Sequence, residues 1–197
     1  MTTQQLYLFN GVYLVALVVV AFLTRATWRR IAGALAGGAA VGTVLFGAVG
    51  LGEEVGLWHF AIVTSWAPDY LTLLFINFAL PVAPILLVTW RVARRFGWRG
   101  LAVVVLTLTA IGPLRDYWYM THFPEWGVYG PGVAPFLAVA AIYASLVPVG
   151  QSVMRLVAGP ARRSPLARRP WEKCDIQASR PEQAVAPDGA GQTACER

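Results

Sequence analysis

Residues 71–90 read LTLLFINFALPVAPILLVTW, and the ten that follow, RVARRFGWRG at 91–100, carry four arginines. Twenty uncharged residues are enough helix to cross about 30 Å of hydrocarbon at about 1.5 Å per residue. A cluster of arginines directly after such a run marks a flank that stays in the cytoplasm, because basic segments resist translocation. Residues 101–120 then form another apolar run. The alternation of apolar span and basic flank therefore reads as a membrane protein, and it recurs along the chain.

Five stretches are long and apolar enough to span: 6–24, 31–51, 71–90, 101–120 and 133–157. Arg25, Arg29 and Arg30 separate the first two, Arg91, Arg94, Arg95 and Arg99 separate the third and fourth, and Arg155, Arg162, Arg163, Arg168 and Arg169 follow the fifth. On a five-helix path all three basic segments fall on one side. That side is cytoplasmic by the positive-inside rule, so the amino terminus lies outside and the carboxyl terminus inside. The first span has its arginines after it, opposite to a cleaved signal peptide, and is expected to be an uncleaved helix. The fold class expected is an all-α bundle of five transmembrane helices over 1–158, followed by a disordered Arg/Pro-rich cytoplasmic tail over 159–197.

Composition agrees. Of 197 residues, 57% are apolar and 13% charged, about half the usual share of charge. Residues 1–158 hold nine Lys/Arg and five Asp/Glu, against seven and five in the short tail. These figures exclude a wholly disordered chain, a secreted disulfide scaffold and a large soluble enzyme. The net charge of +6 is not a nucleic-acid footprint, because the arginines sit between apolar spans. Fifteen of the sixteen basic residues are Arg, a composition that suggests a GC-rich bacterial genome and hence the bacterial inner membrane. Cys174 and Cys195 both fall in the tail, where thiols stay reduced and no disulfide is expected. The tail arginines serve as a stop-transfer flank or as contacts to anionic lipid.

Two shorter features lie on the outer side. LWHFAIVTSW at 57–66 is apolar but too short to span, with Trp near both ends, and reads as an interfacial or re-entrant segment. GVYGPG at 127–132 is a turn. The second span carries Gly33, Gly37, Gly38 and Gly42, whose spacing admits close approach of another helix, within the chain or from a partner. GGAAVG at 37–42 fits neither glycine-rich nucleotide motif. The chain also lacks H-E-x-x-H, G-x-S-x-G and C-x-x-C, and no internal repeat is visible.

All five acids of the membrane body, Glu53, Glu54, Asp69, Asp116 and Glu125, fall at its outer side with His59, His122 and Arg115. Arg115 lies roughly 22 Å along the fourth helix, short of the roughly 30 Å needed to leave the hydrocarbon. A charge at that depth requires a partner or a wet cavity. Arg115, Tyr119 and His122 share one helical face. Gly112-Pro113 is expected to kink the helix below them, and Asn77 sits about 12 Å inside Asp69 on the third span. Two accounts follow. Arg115 clamps helices two and four through Glu53, Glu54 or Asp116, or the cluster lines an outward-facing pocket. In the pocket account Asp116 and Glu54 are the acid–base candidates, and Arg115, Glu53, Asn77, Tyr119 and His122 the ligand-binding ones. His59 and His122 have no ligand spacing, so no metal is expected, and the sequence specifies no cofactor.

Three function classes remain. The first is a binder of a small or lipophilic ligand; the second is a membrane-embedded acid–base enzyme acting on an isoprenoid or lipid; the third is an accessory subunit docking a partner on the glycine face of helix two.

Overall fold

The computed structural model describes residues 3–60 and 68–159. The expected disordered tail beyond Gly159, both cysteines and the Trp66 end of the interfacial segment lie outside them. Helices α1 (Thr3–Thr24), α2 (Trp28–Glu54), α3 (Pro68–Ala79), α4 (Val82–His122) and α5 (Ala134–Ala158) account for most of the described chain. Two-residue strands β1 (Trp58–His59) and β2 (Val128–Tyr129) pair antiparallel between them. Four helical stretches are long and apolar enough to cross a membrane: Thr3–Thr24, Trp28–Glu54, Asp69–His122 and Ala134–Ala158. The protein is thus a helical bundle compatible with a bilayer.

The third stretch joins α3 and α4 and is not straight. Leu80 and Pro81 interrupt it first, since Pro81 has no N–H to continue the α3 ladder. At Gly97 the backbone leaves helical geometry altogether, with φ 65° and ψ −148°, a region open almost only to glycine. Just beyond, a Cβ at Gly100 would lie 2.7 Å from Val92 Cγ1 and 2.8 Å from Phe96 Cβ. Eight residues of straight helix would separate positions 92 and 100 by about 12 Å, so the chain doubles back at Gly97. The first arm of α4 (82–96) runs antiparallel to α2, with Arg30 against Trp90, Gly37 against Leu86 and Gly38 against Ala83. The second arm (98–122) runs antiparallel to α5: Leu101 and Val105 face Pro148 and Ser152, while Gly112 and Arg115 meet Tyr143.

The glycines of α2 are the seams of the bundle. Added Cβ atoms at Gly33, Gly37 and Gly38 would meet Ala158 at 2.9 Å, the Gly150 carbonyl at 2.6 Å and the Ala79 carbonyl at 2.6 Å, and Gly42 lies against Ala79 as well. The chain's own α3, α4 and α5 thus pack against this glycine face. A polar pin completes the α4–α5 seam, where the buried Gln151 amide donates to the Leu86 carbonyl at 3.0 Å and to Thr89 Oγ1.

Arginines at the opposite end from the small sheet close helix termini as well as carrying charge. Arg30, fully buried, donates to the Gly159 carbonyl at 2.8 Å and lies 4.8 Å from the Trp90 ring centre. Arg91 donates to the Thr24 carbonyl at 3.1 Å. Both satisfy carbonyls that a helix C-terminus leaves without partners, where a cation also opposes the macrodipole. The α1 terminus is further closed by a Schellman pair, Ala26 N to Ala21 O and Arg25 N to Phe22 O, with Arg25 in the left-handed region at φ 49°.

Candidate functional site

The α2 C-terminus sets up the site. Leu57 N bonds Gly52 O and Gly56 N bonds Glu53 O, a Schellman motif with Gly56 at φ 73°. It throws the chain back over its own helix. The Trp58 indole consequently lies on Gly52, where a Cβ would collide with the ring, and its Nε1 donates to the Val49 carbonyl at 3.0 Å. Trp58 is only 3% exposed. It is a packing residue, which corrects the reading of this end of 57–66 as a headgroup anchor: the turn and the bare glycine offer the indole a better-buried seat than the interface does.

Glu53 fixes the same loop. Its carboxylate bonds the His59 ring at 2.8 Å and accepts from Phe60 N at 2.9 Å. β1 then pairs with β2 in the register Trp58↔Tyr129 and His59↔Val128, and Gly130 N donates to the Leu57 carbonyl. The hairpin-like pair forms a cap over one end of the bundle.

Beneath this cap is a cavity of about 380 Å³, within the range of small-ligand sites. Its floor is apolar, with Ile85 from the first arm of α4 and Leu146 from α5, and its upper wall is aromatic, with Trp58, Phe60 and Trp126. The polar groups are few: Asn77, Arg115, Asp116 and the phenols of Tyr13, Tyr119, Tyr129 and Tyr143.

Arg115, Asp116 and Tyr143 close a ring of hydrogen bonds. Arg115 Nε and Nη2 donate to Asp116 Oδ1 at 3.0 and 2.7 Å. Nη2 also donates to the Tyr143 hydroxyl at 2.5 Å, and that hydroxyl donates to Asp116 Oδ2 at 3.0 Å. Gly112 makes this possible, since a Cβ there would sit 2.6 Å from three Tyr143 ring carbons. The glycine of Gly112-Pro113 is therefore a slot for a neighbouring ring. The clamp expected of Arg115 exists, but it joins the second arm of α4 to α5, and neither Glu53 nor Glu54 takes part. Burial pushes the Tyr129 phenol up, the Asp116 charge adds to that and Arg115 opposes it. Tyr129 thus remains a neutral donor and acceptor at physiological pH.

Of the residues singled out in the sequence, Arg115, Asp116, Asn77 and Tyr119 line this cavity. Glu53, Glu54 and His122 do not. Glu53 is committed to the cap and Glu54 is exposed. His122 stacks on Trp118 at 4.4 Å and bonds the Trp118 carbonyl on the outside of the helix. Arg115 and Tyr119 keep the shared face on the cavity, whereas His122, the last residue of α4, turns its ring back onto Trp118 and the Trp118 carbonyl. Among the described residues no three of His, Cys, Asp and Glu converge. Tyr143 was missed by the sequence reading. Its only signal is a phenol in the apolar first half of α5, since a buried Tyr needs a hydrogen-bond partner.

Among the described residues, the hydroxyls of Tyr13, Tyr119 and Tyr129 make no hydrogen bond, and two further polar atoms of lining residues also lack a partner. The buried Asn77 Oδ1 accepts no hydrogen bond, and Arg115 Nη1 makes none. An unsatisfied buried acceptor costs about 1–3 kcal/mol, and a ligand or water that donates to it recovers that energy. Comparison with protein-family models, characterised proteins and solved structures finds no match for the chain.

Proposed function

We propose that the protein crosses a bacterial inner membrane five times, with its amino terminus outside, and binds a small lipophilic ligand in the cavity beneath the outer cap. The fold-back at Gly97 supports five crossings, because it splits the third apolar stretch into two antiparallel arms. Arg29, Arg91, Arg95, Arg99 and Arg155 all belong to the end opposite the cap, which supports placing that end in the cytoplasm. The observation that carries the binding reading is the cavity itself: apolar walls with a few convergent polar residues, Asn77, Arg115, Asp116 and four tyrosines. Arg115, Asn77 and Tyr119 are assigned to ligand contact.

The acid–base alternative asks Asp116 to exchange a proton. Its carboxylate is already taken up by two contacts from Arg115 and one from Tyr143, so binding is the simpler reading. Native mass spectrometry of protein extracted gently from its own membranes tests it. A co-purifying small mass, diminished in Ile142→Trp, which projects a larger ring into the cavity, is expected. A protein that is bare in wild type and variant alike refutes the assignment.

A further inference from the structure

The cavity holds two formally charged side chains, Arg115 and Asp116, and no other lining residue is ionised at neutral pH. Arg115 and Asp116 are bonded to each other through two donors and bridged again by Tyr143. Their fields cancel at any distance much beyond the pair. An anion entering here finds a guanidinium already neutralised, and a cation finds a carboxylate in the same state. Either would give up its hydration for no net opposite charge, which is the unfavourable case for a desolvated ion.

What the cavity does leave open is a donor, Arg115 Nη1, with the Asn77 amide packed in the wall beside it. The phenols of Tyr119 and Tyr129 can serve in either sense. Resting on the binding reading above, we infer that the ligand is an uncharged amphiphile: an apolar body with a head that both donates and accepts a hydrogen bond, such as an alcohol or a phenol. The apolar floor at Ile85 and Leu146 takes the body, and the ring of Arg115, Asp116 and Tyr143 faces the head. A volume of about 380 Å³ corresponds to roughly twelve water-sized groups at about 30 Å³ each, so a ten-carbon alcohol fits.

The test uses full-length protein in nanodiscs and three probes with the same ten-carbon chain: 1-decanol, decanoate and decyltrimethylammonium. Thermal unfolding is followed at equal membrane mole fraction of each probe, with Ile142→Trp as the narrowed-cavity control. Decanol is expected to bind wild type at least about tenfold more tightly than either ion, and its stabilisation diminishes in the control. Asp116→Asn removes half of the charge pair and is expected to turn the preference toward decanoate; Arg115→Gln is expected to turn it toward the cation. If decanoate or the cation binds wild type as well as decanol does, the inference about charge is overturned while the cavity reading stands. If no probe distinguishes wild type from Ile142→Trp, the cavity reading falls and the inference with it. The wild-type ranking decides the matter even if both charge variants fail to fold.

Discussion

Tyr143→Phe isolates the hydroxyl that joins α5 to the charged pair, because the phenyl ring keeps its seat on Gly112. The hydroxyl makes two hydrogen bonds to ionised partners, at 2.5 Å from Arg115 Nη2 and 3.0 Å to Asp116 Oδ2. Such bonds contribute about 1.5–3 kcal/mol each when fully desolvated. Here the Arg115 side chain is 58% exposed, and pairs open to water contribute only about 0.2–1 kcal/mol. Water in the cavity can also replace part of what the hydroxyl supplied. The expected loss is therefore about 1–2 kcal/mol, well below the roughly 3–5 kcal/mol of removing a buried aromatic ring. Equilibrium unfolding in mixed micelles, followed by far-ultraviolet circular dichroism, measures it. A double-mutant cycle with Asp116→Asn should give a coupling of at least about 0.5 kcal/mol. Gly112→Ala supplies the complementary case: its Cβ must push the ring by about 1 Å to reach ordinary contact, which breaks the same bonds by displacement. Gly112→Ala and Tyr143→Phe together should then cost less than their sum. Strict additivity in both cycles, or a neutral Tyr143→Phe, would refute the bridging role of the hydroxyl and leave only the ring as a packing group.

Three further outcomes are expected. Gly97→Ala forces a side chain into φ 65°, ψ −148° and should lower stability by about 1–3 kcal/mol, read as a reduced unfolding midpoint; an unchanged midpoint would mean the turn lies elsewhere. Gly52→Ala drives a methyl into the Trp58 indole and should shift the emission of that tryptophan to longer wavelength as it is lifted from its seat, at a cost of about 1–3 kcal/mol. Arg30→Ala removes both the cap on the Gly159 carbonyl and the cation over Trp90; thermal unfolding should report a loss of about 2–4 kcal/mol, and a loss below about 0.5 kcal/mol would reduce Arg30 to a topological charge.

The apolar runs were legible because hydrocarbon thickness imposes a length that sequence displays directly. The expected span 133–157 differs from α5 by one residue at each end, and 6–24 lies wholly within α1. Deep polar residues were legible for the same reason: Arg115, Asp116 and Asn77 stand out against an apolar background and do meet at one cavity. What could not be read was the direction in which short elements turn. Glu53 looks like a neighbour of Arg115 until Gly56 reverses the chain and hands its carboxylate to His59 and Phe60. Trp58 looks like a headgroup anchor until Gly52 offers it a seat. Tyr143 carries no charge and breaks no pattern, so its pairing with Gly112 across 31 positions follows from helix register alone.

The seam between α2 and α5 also bears on how the protein is made. The carbonyl that Arg30 closes belongs to Gly159, 129 residues later, and the bare stretch from Gly33 to Gly37 is covered by Met154, Ala158 and Gly150. Until α5 has been made, the second helix therefore lacks part of the packing along Gly33 to Gly37 and one hydrogen-bond partner of Arg30. A chain that stops before Ala134 leaves that strip of α2 without its α5 neighbours. The bundle described here closes only once α5 has joined it.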